Sequence, residues 1–537
     1  MVWVIFIFDY YVDAFVNGED WADVVKTYTE IDSITKDDVV RVANKYFGPS
    51  NYAAIYKYVG TDENIVKLPK PELTPIATNR DAASDFIREI AATEVEPIEP
   101  VFLDFKKDLT ILKTKAGFPV YYTENKTNDI STLIYVIELG ANDDKRLTLA
   151  NSYFDLLGTP EMTADDLKRE FYNLACSWNL SIGGDRSYIL ISGLSENLPR
   201  AAELFENFIA NATVDTEAYG RLVEQIAQSR ANNKQNQRVN FSRLINYVMY
   251  GPENPSTSVY SAEELASLDP AEIIQSVRDL YDYEQEVIYY GNLSESEIVA
   301  LIDKIHPSPE VLKPVPAEDA FTQVNPTETV VFVAPYDATQ LYMTMFANQG
   351  GEFDLALAPY VEMYNEYFGG GMNSIVFQEM RESRSLAYSA GAYELEPSLL
   401  GKPYTYRTSI ATQNDKMLDA IDAFLLIIND MPQSQAAFDL AKQGLDARMR
   451  SARIIKDDIA WAYLAAKRLG LENEERETIF NALPALTLED VINYQQNHVK
   501  GLTYYYGILG DPEDLDMEAL SKIGRVVLLT TEDIFGY

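Results

Sequence analysis

Cysteine and histidine are nearly absent from this chain of 537 residues. The single cysteine, Cys176, cannot form an internal disulfide and excludes Cys-rich zinc and iron–sulfur sites. Only two histidines occur, His306 and His498. A catalytic zinc usually takes three protein ligands, commonly His with Glu, and neither histidine has a His or Cys neighbour in sequence. His306 precedes a proline in Lys304-Ile-His-Pro-Ser, and His498 closes a helical pattern in Gln496-Asn-His-Val-Lys. A surface or helix-end position is expected for both. Basic residues are also scarce, with 44 Lys and Arg against 83 Asp and Glu and a net charge of −39. Nucleic acid is excluded as the main partner, because phosphate binding needs clustered cations. No run approaches the roughly 18 apolar residues of a membrane span. The opening Met1-Val-Trp-Val-Ile-Phe-Ile-Phe is broken by Asp9 and Asp13 and has no basic residues before it. It therefore reads as the start of a buried helix or strand rather than a signal peptide. No G-x-S-x-G occurs, and no Lys-Ser or Lys-Thr follows the triple glycine at 369–371 in the Walker arrangement. Nucleophilic hydrolysis and a phosphate loop are thus unsupported. The compartment stays open.

What is present is a globular composition, 47% apolar and 24% charged, and a long repeat. Three segments share a capped helix, a Tyr-rich strand and a glycine: Ile34 to Gly60, Leu268 to Gly291, and Leu486 to Gly510. Thr35 with Asp38, Asp269 with Glu272, and Thr487 with Asp490 are the capping pairs, an oxygen acceptor followed three residues on by an acid that favours the positive helix end. Starts more than 200 residues apart signify duplicated domains rather than a solenoid of short repeats. Read backwards from these endings, residues 101–316 form one unit and residues 317–537 a second, while residues 1–61 hold only the tail of another. The last of these should leave a Tyr-rich strand over 51–59 with an open edge. Residues 62–100, with Pro69, Pro71, Pro75, Pro97 and Pro100, read as a linker with one short helix near Arg80 to Ile90.

Within the first full unit, strands are expected at Leu109–Lys113, Phe118–Thr123, Ser131–Leu139 and Ser187–Gly193. Helices are expected at Leu147–Leu157, Thr163–Cys176 and Pro199–Ala210. The second unit should place strands at Thr329–Ala334, Gln340–Ala347, Ala387–Leu395 and Tyr404–Ala411, with helices at Asp354–Tyr367, Lys416–Asn429 and Gln435–Ser451. The order lacks the βαβ rhythm of a doubly wound sheet and fits an α+β fold of tandem two-layer domains.

Gln378-Glu-Met-Arg381-Glu-Ser-Arg-Ser-Leu-Ala-Tyr388-Ser-Ala-Gly-Ala-Tyr, preceded by Gly369-Gly-Gly-Met-Asn-Ser374, resembles the Arg/Tyr segment of the pitrilysin and insulin-degrading-enzyme family of inverted-motif zinc peptidases. The resemblance implies homologous α+β domains in two halves that close like a clamshell around peptide substrates. It implies that this chain holds the end of the second domain, the linker, and the third and fourth domains. No cofactor is then expected in this chain, and zinc is expected on an N-terminal domain not contained in it, the partner half. In the third-domain window, Leu149, Ser152 and Tyr153 stand where the family's H-x-x-E-H has its His, Glu and His. By resemblance, Arg381 holds a substrate carbonyl and Tyr388 donates to the carbonyl or developing oxyanion, with Gly370 and Gly371 on the same substrate-binding surface. Arg384 is the competing arginine. Read from spacing alone, Tyr388, one of 36 tyrosines, is a core ring with a satisfied hydroxyl. The resemblance leaves two functions open: the C-terminal portion of a zinc-dependent endopeptidase or oligopeptidase, or a catalytically inactive member acting as partner subunit or peptide-binding protein.

Overall fold

The computed structural model describes residues 2–48, 52–56, 84–93, 96–316 and 320–537. The chain divides into two units, residues 1–94 and 95–537. In the first, helices run over Val2–Asn17, Trp21–Ser33, Lys36–Tyr46 and Asp85–Ala92. The Thr35–Asp38 pair closes a reciprocal capping box, as its spacing predicts. The opening apolar run begins a helix, but the side chains of residues 1–8 lie outside the described ones; further along that helix Ala14 is buried, while Tyr11, Phe15 and Val16 are exposed. The expected Tyr-rich strand is not seen. Residues 52–56 have no regular structure and the rest of that stretch lies outside the described residues. A strand needs a ladder partner, and the described residues of this unit contain none.

Residues 95–537 are built on two six-stranded sheets. The first contains β1 (Thr110–Lys113), β2 (Pro119–Glu124), β3 (Ile130–Ile137), β4 (Cys176–Ile182), β5 (Ser187–Leu194) and β6 (Glu286–Gly291), in spatial order β1-β2-β6-β3-β5-β4. The second contains β7 (Val330–Ala334), β8 (Gln340–Gly350), β9 (Ala387–Leu395), β10 (Tyr404–Gln413), β11 (Tyr505–Leu509) and β12 (Arg525–Leu528), in order β12-β7-β11-β8-β10-β9. Five strands correspond one to one. β2 and β6 are parallel, as are β7 and β11, and every other pairing among the five is antiparallel in both sheets. Only the outermost strands differ, β1 running antiparallel to β2 and β12 parallel to β7. The fold is α+β, two tandem two-layer domains, and each sheet packs helices on one face over its own apolar core.

The opposite faces are covered by exchange. Leu464 and Ala460 on the Asp458–Arg468 helix, which belongs to the second sheet's half of the sequence, pack on Tyr121, Ile134, Val136 and Ile288 of the first sheet. Leu244, Val248 and Met249 on the Gln237–Tyr250 helix pack on Ala334, Phe346 and Leu509 of the second. Gly507 on β11 permits that approach, since a Cβ there would lie 2.8 Å from Val248 Cγ2. Each sheet thus buries both faces, and the two halves of this unit share cores.

One expected helix is shorter than its pattern suggests. It ends at Asn173, Ala175 takes φ of +49°, and β4 starts at Cys176. The alternation of Cys176, Trp178 and Leu180 with polar residues is strand period, which the preceding helical pattern masked. Asp269 caps through Ala271 N rather than with Glu272, while Thr487 and Asp490 form the full box.

Candidate functional site

The chemistry-bearing segment lies along the free edge of the second sheet. Ala358–Tyr364 is an α-helix that widens into a π-helical turn at Asn365–Gly369. Tyr364, Tyr367 and Phe368 are buried there, with Tyr364 stacked on Phe368 at 5.2 Å. Gly369 then abuts β9: a Cβ would fall 1.4 Å from the Ala392 carbonyl oxygen, so no other residue fits. Gly370 donates its N–H to Asn365 O at 2.7 Å, and a Cβ on Gly371 would meet nothing within 4 Å. The close approach expected of the glycine stretch therefore falls on Gly369, while Gly371 lies in an open loop.

Ser374 caps the next helix through Phe377 N. After Ile375–Phe377 the chain forms a second π-helical turn, Gln378–Ser383, which carries Arg381. Ser385 follows with φ of +50°, a left-handed conformation uncommon for a residue with a Cβ. The register with β10 then slips: Ser389 pairs with Ala411 but Ala387 with Thr412, leaving Tyr388 as the extra residue of a β-bulge. A π-helical turn, a left-handed serine and a bulge within eleven residues is a concentration of irregular backbone of the kind found at functional sites.

The bulge turns Tyr388 outward, and it is 77% exposed, not a core ring. The guanidinium carbon of Arg381 lies 4.4 Å from the centre of its ring and 4.9 Å from that of Phe377. Such stacking contributes about 0.5–1 kcal/mol at exposed sites and holds the arginine while its N–H fork stays available. Its nearest carboxylate oxygen is Glu382 Oε1 at 3.6 Å. Arg384 is instead engaged by Glu379 at 3.3 Å. The structure thus brings Arg381 and Tyr388 together and sets Arg384 apart.

Two acids near the end of β9 were not anticipated. Glu394 is 3% exposed, accepts from Tyr494 Oη at 2.5 Å, and is pushed up to about 7 by burial. Glu396 is pushed up to about 8 by burial and by the neighbouring Glu475. The only signal in the sequence was a pair of acids, two residues apart, among small and apolar strand residues. Glu396 lines a cavity of about 1260 Å³ between the two sheets. Two of its cations are already paired, Lys467 with Glu286 and Arg468 with Asp185, and neither Arg381 nor Tyr388 lines it.

The residues present do not fit a zinc ion. Leu149 and Tyr153 are buried, and Tyr153 donates from its hydroxyl to Asp215 O at 3.0 Å. Contrary to a surface position, His306 is buried between Tyr135 and Tyr281, its Nδ1 2.7 Å from Glu206 Oε1 and its Nε2 2.9 Å from Gln285 Nε2. The polar partners and stacked rings explain why a histidine before proline lies inside. His498 stacks on Tyr494 at 4.5 Å. Among the described residues no group of His, Cys, Asp and Glu could hold a metal, and no helix is long and apolar enough to cross a membrane.

Residues 283–445, which run from just before β6 into the Gln435–Ser451 helix, match the family model of the peptidase M16 inactive domain. That stretch is therefore similar to the inactive domain of M16 peptidases. A protein of Rickettsia felis called an uncharacterized zinc protease is 22% identical over 332 residues, 58% of this chain and 75% of that protein. The M16 inactive domain from Pseudomonas fluorescens superimposes with a TM-score of 0.60 at 18% identity, covering 75% of this chain and 98% of that one. The periplasmic protease PqqL from Escherichia coli gives 0.59 at 16% identity, covering 89% of this chain but 51% of that protease. The M16 resemblance inferred from the 368–395 window is borne out at the level of family and fold.

Proposed function

We propose that this chain is the peptide-binding C-terminal portion of a zinc-dependent endopeptidase or oligopeptidase of the M16 family, with Arg381 and Tyr388 as its substrate clamp. In this reading residues 101–316 and 317–537 act as third and fourth domains, 62–100 as the linker, and 1–61 as the close of a second domain. The observation that carries it is the exposed Arg381–Tyr388 stack, formed where a π-helical turn meets a bulge at a sheet edge. The guanidinium offers a planar fork of donors to substrate carbonyl oxygens. The Tyr388 hydroxyl is a donor that can meet negative charge developing on the carbonyl under attack. Gly370 and Gly371 keep the adjoining loop low, so an extended backbone can lie beside the pair. The hydrolytic metal centre belongs, in this proposal, to a partner half, because the described residues do not fit zinc.

The test is reconstitution with an H-x-x-E-H-bearing half, supplied in cis or from a neighbouring gene. Peptide cleavage should appear only with both parts. Arg381→Ala should mainly raise KM, as expected for a grip made in ground and transition states alike. Cleavage indifferent to both Arg381→Ala and Tyr388→Phe would remove the clamp. A catalytically silent partner or peptide-binding protein is the second reading. It is favoured by the inactive-domain match and by Tyr153, bonded to the Asp215 backbone where a family catalytic domain has a histidine. Peptide binding without cleavage alongside every such half would select it.

A further inference from the structure

We propose that the cavity between the two sheets binds a linear aliphatic diamine or polyamine, with one ammonium on Glu396 and a second at Glu284 and Gln285. The site is separate from the Arg381–Tyr388 pair, since neither residue lines the cavity. Its walls come from both halves of the unit, residues 284–286 leading into β6 on one side and residues 395–399 at and after the end of β9 on the other. The cations that line it are already engaged. Lys467 holds Glu286 at 2.5 Å, Arg468 lies 3.4 Å from Asp185 and 3.6 Å from Glu138, and Lys402 is not free. Among the described residues no cation pairs with Glu284 or Glu396. Two carboxyls on different walls are thus left without a counter-ion.

Two buried groups show that the cavity lacks a donor. Glu396 Oε1 is buried with no hydrogen-bond partner, which is costly for a carboxylate unless a proton or a cation joins it. The titratable groups that face Glu396 are Glu475, Glu362, Glu394 and the phenols of Tyr404 and Tyr494, and Glu362 is itself held by Arg448. None of those facing groups supplies positive charge. Gln285 is the second group, 4% exposed and still lining the cavity. Glu206, 2.7 Å from His306 Nδ1, fixes the ring proton on that nitrogen and leaves Nε2 an acceptor. The Gln285 amide therefore donates from Nε2 to the ring at 2.9 Å, and its Oε1 is left to the cavity with no partner among the described residues. An ammonium, with three donors and no acceptor, matches such a surplus of acceptors. Acceptors on two walls fit a ligand with two heads. Leu312, Phe321, Leu395 and Leu464 offer apolar surface to the methylenes between them.

Isothermal titration calorimetry of the full chain with cadaverine tests this, and one saturable site is expected. Glu396 is pushed up to about 8 by burial and its acidic neighbours, while the aliphatic ammoniums of the ligand stay charged well above that. Binding at pH 7 should therefore release about one proton, read from two buffers of different ionisation enthalpy, and affinity should rise about tenfold from pH 6 to 7. Glu396→Gln, nearly isosteric, should weaken binding about tenfold or more and abolish the proton release. Glu518→Gln, at an exposed acid of the Met517–Ile523 helix, should change neither. The single-headed n-pentylamine should bind about tenfold more weakly than cadaverine. Nα-acetyl-lysine amide carries the same ammonium on a peptide unit, and weaker binding than cadaverine supports a free amine as the ligand. Tighter binding of the lysine amide overturns that choice and assigns the cavity to a peptide side chain. n-Pentylamine bound as tightly as cadaverine overturns the two-headed seat. No saturable site at millimolar cadaverine, equal losses in Glu396→Gln and Glu518→Gln, or binding without proton release overturns the proposal as a whole.

Discussion

The two sheets share one topology, yet their last strands have opposite characters. At the end of the first, the Ala164–Asn173 helix leads through left-handed Ala175 into β4, which pairs with β5 without a register shift. At the end of the second, a π-helical turn leads through left-handed Ser385 into β9, whose register slips at Tyr388. Four residues before each left-handed position stand Phe171 and Arg381. Phe171 is 4% exposed in the core, whereas Arg381 lies half-exposed on the Tyr388 ring. One frame is therefore used for packing in one copy and for presenting donors in the other. Duplicated architecture does not imply duplicated function, and the local departures from regular backbone mark the copy proposed to carry the site.

The sharpest break of that comparison is a matched pair of truncations. Phe171→Ala should cost about 3–5 kcal/mol of stability through lost burial and the cavity left behind. Arg381→Ala should cost under about 1 kcal/mol, the worth of an exposed stacking contact. Chemical denaturation measures both, and equal costs would show that the two positions are not differently used. Next comes catalysis in the reconstituted peptidase. Tyr388→Phe should lower kcat by about 10²–10³, the usual loss for one donor at a developing oxyanion. The exposed Tyr172 in the first half serves as control, and its change to Phe should leave kcat alone.

A third expectation concerns pH. Glu396, ordinarily at 4.5, is held at about 8 in the fold. A group raised on folding contributes stability that is full below the unfolded value and lost as pH climbs through the folded one. The protein should therefore lose stability between about pH 4.5 and 8, on the order of 5 kcal/mol from this carboxyl. Glu396→Gln should flatten that part of the curve, and an unchanged slope would contradict the assignment. The smallest effect is expected at one position of the glycine stretch. Gly371→Ala, into open space, should lie within about 0.5 kcal/mol of wild type. Gly369→Ala, against the Ala392 carbonyl, should cost about 1–3 kcal/mol or more.

Much of this was legible in the chain because its signals are local. The 368–395 window shows its glycines, its Arg381 to Tyr388 spacing and its run of small residues directly, and the capping pairs at Thr35 and Thr487 are written in adjacent positions. What was not legible depends on distant partners. The burial of His306 requires Glu206 and Gln285, the raised Glu396 requires Glu475, and the outward turn of Tyr388 requires the slip against Thr412. β4 was hidden because its two-residue period begins directly after a helical one.

Hydrogen exchange of the chain with and without a saturating unstructured peptide tests most directly whether the second sheet's edge, and not the first's, is the peptide-binding one. Added protection is predicted over 378–392, with none over 174–182. Protection confined to β4, or spread equally over both edges, would contradict the division of labour between the two copies.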